Sequence, residues 1–141
     1  MKLYVDASVL LRIVLGESRA LREYRRSSRL ISSELIRLEC LRTIDRARLR
    51  DGLSDESVAE RRAGIIESLR SFELLPIDRL VLERAAGHFP TALGTLDALH
   101  LASALVSREE VPDLVLATHD RELAVAARSV DFRVVGVVGL A

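Results

Sequence analysis

LVLATHDRELAVAA, residues 114–127, runs from an unbroken apolar stretch through an acid into a helical pattern. Residues 114–118 carry apolar or β-branched side chains throughout, with no alternation of polar and apolar positions. A strand covered on both faces, as in a parallel sheet, reads in this way. Asp120 stands two residues beyond the strand, and residues 121–128 then read as a short helix. The order strand, acid, helix predicts a parallel α/β unit with a carboxylate at the carboxyl edge of its sheet.

Toward the C-terminus, RVVGVV within residues 132–138 forms a second unbroken run and predicts the last strand. Upstream, TLDALHLASALV at residues 95–106 predicts a strongly apolar helix with Asp97 in its first turn. Asp78 predicts the cap of a helix that stops before Pro90, because proline cannot continue it. Residues 74–77 read as a strand. Between residues 33 and 50, Leu35, Leu38, Leu41, Ile44 and Leu49 recur near helical spacing, and Asp51-Gly52 ends that helix. Ser54, with Ser57 as an alternative cap, starts the next helix, which runs to about residue 71. Residues 3–5 predict a strand ending at Asp6, residues 8–15 a helix closed by Gly16, residues 19–26 a short helix, and residues 30–32 a strand. Alternating strands and helices over residues 1–141 predict one α/β domain, a sandwich with a mainly parallel central sheet of about five strands.

Composition narrows the function classes. Hydrophobic residues make up 49% and charged residues 30%, the balance of an ordinary globular chain. No apolar run reaches the roughly 18 residues that a membrane span needs. The start, MKLYVDAS, has an acid at its sixth residue and no apolar core of a secretory signal. The single cysteine, Cys40, excludes an intrachain disulfide and an all-cysteine metal site, so a reducing, cytoplasmic setting is expected. Acids and bases balance at 21 each, which argues against nucleic-acid binding through a bulk positive field. A local stripe of arginines remains compatible with phosphate contacts.

Four acids stand out. In open parallel α/β sheets, ligands sit beyond the carboxyl ends of the strands. Asp6 follows the first strand and Asp120 follows residues 114–118, so both belong at one edge of the sheet. Asp97 begins an otherwise apolar helix, and Glu39 lies mid-helix at the border of its apolar stripe. Each has a plain structural reading. Asp6, Asp97 and Asp120 stand near helix starts, where carboxylates cap free N–H groups and meet the positive end of the dipole, and Glu39 reads as a partly solvated helix residue.

As a set they predict more. Carboxylates that converge repel one another, and the pKa of at least one rises unless a cation neutralises them. Mg²⁺ suits such a site, with Mn²⁺ as a substitute, because both accept all-oxygen ligation. Zinc fits less well: Cys40, His88, His100 and His119 show no paired-ligand spacing, and His100 and His119 read as core or surface residues.

Four stretches together carry a resemblance: YVDASVLLRIVLGE around Asp6, SELIRLECLR around Glu39, LGTLDALHLASAL around Asp97 and LATHDRELAVAA around Asp120. In order and spacing the chain resembles the PIN-domain ribonucleases, most closely the VapC-type toxins of bacterial and archaeal toxin–antitoxin pairs. It departs from the family's pattern at Leu38, where a small residue often precedes the glutamate. The resemblance implies a PIN-like three-layer α/β/α sandwich and a metal-dependent endoribonuclease that inhibits translation and growth. Asp6 and Asp97 would be the principal metal ligands, with Glu39 and Asp120 completing the acidic pocket. Ser8 and Thr118 would be supporting hydroxyls that orient the carboxylates.

Metal-activated water would attack a phosphodiester of RNA. Partners implied by the resemblance are the RNA substrate, an antitoxin protein and a second copy of the chain in a homodimer, with no membrane. Two alternatives within the fold are a housekeeping nuclease for RNA maturation and an RNA-binding module with little cleavage. Arg12, Arg42 and Arg121 stand near the acids in sequence as candidates for phosphate contacts.

Other α/β classes fail on residue identity. A phosphorelay receiver needs a lysine after a late strand, and Lys2 is the only lysine. A haloacid-dehalogenase-type phosphatase needs Asp-x-Asp where this chain has Asp6-Ala7-Ser8. No G-x-G-x-x-G follows the first strand, which excludes a dinucleotide fingerprint.

Overall fold

The computed structural model describes residues 1–140. Its strands are β1 (Lys2–Val5), β2 (Arg29–Ser33), β3 (Phe72–Leu75), β4 (Val115–Ala117) and β5 (Val134–Val135). Its helices are α1 (Ala7–Val14), α2 (Arg22–Arg26), α3 (Leu35–Asp51), α4 (Asp55–Leu69), α5 (Arg79–Ala85), α6 (Thr95–Glu110) and α7 (Arg121–Ser129). All strand pairings are parallel, in the order β3-β2-β1-β4-β5.

Register sorts the side chains into two layers. Leu3 pairs with Leu30 and Val115, whereas Tyr4 pairs with Ile31 and Leu116. Successive strand residues face opposite sides of a sheet. Leu3, Val5, Val115 and Ala117 therefore pack with Val9 and Leu10 of α1, Ile36, Cys40 and Ile44 of α3, and Ile65 of α4. Tyr4, Ile31 and Leu116 pack with Leu101, Ala104 and Leu105 of α6 and Leu123, Ala126 and Ala127 of α7. Each layer of helices thus covers one face, and the central strands are buried on both sides, as their unbroken apolar sequences require.

Caps set where the helices begin. Asp6 accepts from the amides of Ser8 and Val9, Ser54 from Ser57, Asp78 from Val81, and Asp120 from Leu123. Gly52, in the left-handed region at φ 62°, ends α3. Ser54, not Ser57, caps α4.

Several bounds differ from the sequence expectation. β3 starts at Phe72, opposite Leu30, and ends at Leu75, because Pro76 has no N–H to extend the ladder. β5 is two residues long, because Gly136 leaves the extended region at φ 107°. Ser33 remains in β2, pairs with Leu75, and its hydroxyl accepts from the Leu35 amide, which delays α3. Helix α2 begins at Arg22 and α6 extends to Glu110, whereas α5 ends at Ala85, before Pro90 as expected. No helix among the described residues is long and apolar enough to cross a membrane.

Candidate active site

The chain leaves β1 for β2 and β3 on one side, then returns to place β4 and β5 on the other. The order reverses between β1 and β4, and the crevice beyond such a switch point is where open α/β sheets bind ligands. Asp6 follows β1 and Asp120 stands shortly after β4, so both occupy this edge. The amide of Asp6 donates to the Ala117 carbonyl at 3.1 Å and extends the β1–β4 ladder to the site.

Asp6 is 5% exposed and fully engaged. Its Oδ1 accepts from the Ser8 amide at 2.9 Å, the Ser8 hydroxyl at 2.5 Å and the Val9 amide at 3.3 Å. Its Oδ2 accepts from the Thr118 hydroxyl at 2.6 Å. Asp6 therefore caps α1 through Oδ1 while Thr118 holds its Oδ2. Burial raises its pKa above the ordinary aspartate value, and the Ser8 and Thr118 hydroxyls work against that rise.

Ser8 and Thr118 each do two jobs. Ser8 Oγ also accepts from the His119 amide at 2.9 Å, and Thr118 Oγ1 from the Asp120 amide at 2.9 Å. The loop after β4 is thus tied to the loop after β1 through the hydroxyls that hold Asp6.

Asp97 lies in the first turn of α6 and is not its cap; that position is Gly94. Its carboxyl is pushed up to about 6, first by burial and then by the charges of Asp120, Asp6 and Glu39, with His100 opposing. All four acids therefore share one electrostatic neighbourhood. They do not form a closed cage. Among the described residues, no three His, Cys, Asp or Glu side chains are placed to enclose one ion. Asp6 is held by its hydroxyl and amide donors, Asp120 is turned to its own helix amide at 3.0 Å, and Glu39 is turned to His100.

His100, read from sequence as a core or surface residue, is indeed buried, and it also stands at the centre of a polar chain that the sequence reading missed. It is 2% exposed. Its Nε2 bonds to Glu39 Oε1, and its Nδ1 bonds to the Tyr4 hydroxyl at 2.9 Å. The Tyr4 and His100 rings meet edge to face at 5.9 Å. Burial disfavours charge on the imidazole, but the Glu39 hydrogen bond and the charges of Glu39, Asp6 and Asp97 outweigh it and raise the pKa. A signal for this was present: His100 follows Asp97 by three residues, which puts both on one face of a helix.

Of the arginines expected near phosphate, Arg12 pairs with Glu17 at 3.6 Å and Arg42 with Asp45 at 3.0 Å. Arg121 has no acid partner among the described residues.

The donor set fits a hard divalent ion. All four residues are carboxylates, and the charges of Asp120, Asp6 and Glu39 add to burial in raising the Asp97 carboxyl. The one sulfur nearby is no competitor, because burial pushes the Cys40 thiol up to about 12.

The profile of the PIN domain family matches residues 3–129. The chain is 35% identical over 136 residues to Ribonuclease VapC46 of Mycobacterium tuberculosis, covering 94% of this chain and 95% of that protein. It is also similar in fold to the crystal structure of PAE2754 from Pyrobaculum aerophilum, with TM-score 0.56 and 23% identity, over 95% of this chain and 83% of that one.

Proposed function

This chain belongs to the PIN-domain family, and from that premise we propose that it is a divalent-metal-dependent endoribonuclease and the toxin of a toxin–antitoxin pair. One observation carries the reading: carboxylates from four separate elements come near enough together that the charges of Asp120, Asp6 and Glu39 add to burial in pushing Asp97 to about 6. Charge crowding of this kind costs stability and is relieved by a cation. The relative named as a ribonuclease matches along nearly its whole length, which supports the same reading.

Asp6 and Asp97 would hold the ion, with Glu39 and Asp120 completing the pocket. Mg²⁺, with Mn²⁺ as substitute, would supply charge for the phosphate oxygens and lower the pKa of a bound water. The chain's own part is orientation. Ser8 and Thr118 fix both oxygens of Asp6, so that carboxylate presents one geometry. The first turn of α6 presents Asp97 from the opposite helical layer, across the β1–β4 crevice. Arg121, next to Asp120 in sequence and without an acid partner among the described residues, would be the candidate to meet a backbone phosphate. The substrate is cellular RNA, the whole chain acts as one domain in the cytoplasm, and a homodimer and an antitoxin are its partners.

Purified protein incubated with an RNA panel tests the reading. Cleavage that needs Mg²⁺ or Mn²⁺, stops with chelator, and leaves 5′-phosphate ends is the expected result. Asp6→Asn and Asp97→Asn should each reduce it below detection while circular dichroism stays native. Undiminished cleavage by folded Asp97→Asn would overturn the assignment. RNA binding with no cleavage under any metal would leave only the binding-module alternative. In cells, induced expression should arrest growth and co-expression of the adjacent antitoxin should relieve it.

A further inference from the structure

We propose that Tyr4 and His100 are positioning residues for Glu39, holding one carboxylate oxygen so that the other stays available to the acidic pocket. The inference rests on the nuclease reading for what Glu39 does, and on contacts alone for how it is held.

Glu39 projects from the middle of α3, where its own helix offers the side chain no anchor. Its Oε1 bonds to His100 Nε2, while its Oε2 has no hydrogen-bond partner among the described residues. A glutamate has three rotatable side-chain bonds, and one fixed oxygen removes most of that freedom. The holder is itself held. His100 is 2% exposed and Tyr4 is fully buried, and the phenol oxygen bonds the far side of the imidazole at 2.9 Å. With both ring nitrogens bonded, the ring cannot turn without breaking two contacts.

The three residues come from three of the elements that build the proposed pocket. Tyr4 lies on β1, two residues before Asp6. His100 lies on α6, three residues after Asp97, and Glu39 on α3. The chain of contacts therefore spans the sheet from one helical layer to the other. It sets Glu39 relative to Asp6 and Asp97 and not merely relative to its own helix. Partners that orient a ligand in this way contribute about 10–100-fold in metal affinity.

The first test uses metal-free protein. The imidazole N–H protons should give a far-downfield NMR resonance that Glu39→Gln removes or shifts strongly and Tyr4→Phe perturbs. Its absence from the wild type, or indifference to Glu39→Gln, would overturn the proposal. The second test is calorimetric titration with Mn²⁺. His100→Leu should weaken binding about tenfold, and His100→Gln, which keeps a donor for Glu39, should restore much of it. In a Glu39→Gln background, His100→Leu should add nothing further. An equal loss in that background would mean that His100 only supports the fold, and wild-type affinity in His100→Leu would also sink the idea.

Tyr4→Phe keeps the ring and its packing, so it serves if His100→Leu fails to fold. It should weaken Mn²⁺ binding in the same direction by a smaller factor, and unchanged affinity would count against the pair. The two readings fail separately: an intact imidazole signal with no Mn²⁺ binding removes the nuclease reading and leaves the positioning contact standing.

Discussion

At the residue scale, Asp97 is where the proposed site costs the fold stability. Its carboxyl sits at about 6 against an ordinary 3.8, chiefly through burial, then through Asp120, Asp6 and Glu39. Between those two values the folded chain binds a proton that the unfolded chain has released. Stability therefore falls as pH rises through this window, and the loss persists above it. Asp97→Asn removes the penalty. Discounted for the group's partial exposure, the gain at pH 7 is about 1 kcal/mol, a rise in melting temperature of about 4 °C. The advantage should vanish below pH ~4, where wild-type Asp97 is protonated in both states. A pH series of thermal melts checks this, and a variant less stable than wild type at pH 7 would refute it. The same proton competes with a metal ion, so Mg²⁺ affinity should rise with pH through about 6 in calorimetry.

At the scale of elements, the site depends on a turn that carries no acid. Gly136 follows β5 at φ 107°, a conformation that favours glycine. A Cβ placed there would come within 2.3 Å of the Thr118 carbonyl oxygen, and backbone cannot step aside as a flexible side chain can. The Gly136 carbonyl also accepts from His119 Nδ1 at 2.7 Å. Thr118 and the His119 amide in turn hold Asp6 and Ser8. Gly136→Ala should therefore destabilise the fold by about 2–3 kcal/mol. It should also weaken metal binding although residue 136 is no ligand. A urea midpoint equal to the wild-type value would show that the turn relaxes freely. The caps show how much of this layer was legible. Asp6, Ser54, Asp78 and Asp120 were readable as helix starts because capping is local chemistry. The shortening of β5 was not, because RVVGVV reads as strand throughout and only the folded chain shows Gly136 turning at φ 107° against the Thr118 carbonyl.

For the whole molecule, Cys40 reports cooperativity. It lies in the core layer between β1 and the α1, α3 and α4 helices, with no exposed surface. Burial first, then the nearby charges of Glu39 and Asp6, push its thiol up to about 12. Since the thiolate is the reactive form, alkylation at pH 8 should be negligible in the folded protein. Across a denaturant series, labelling should track the circular-dichroism transition; rapid labelling without denaturant would mean that this layer opens locally. The charge balance of 21 acids to 21 bases sets a second expectation. On the proposed nuclease reading, RNA affinity should still fall with salt, because phosphates held by local arginines would release counterions whatever the net charge. A salt-independent affinity would exclude phosphate contacts as its source.

Local chemistry, read from sequence, was enough to determine that strands alternate with helices, that the central strands are buried on both faces, and that Asp6 and Asp120 belong at one sheet edge. Periodicity, caps and strand ends are properties of neighbouring residues, so they survive in a linear reading. Only the folded chain decided that Glu39 rests on His100, that Tyr4 holds the ring from behind, and that the acids are neighbours without yet forming a cage. Those contacts join residues 61 and 96 positions apart. No local pattern encodes such a meeting, because it arises from the strand order and from the two helical layers closing on the same edge of the sheet.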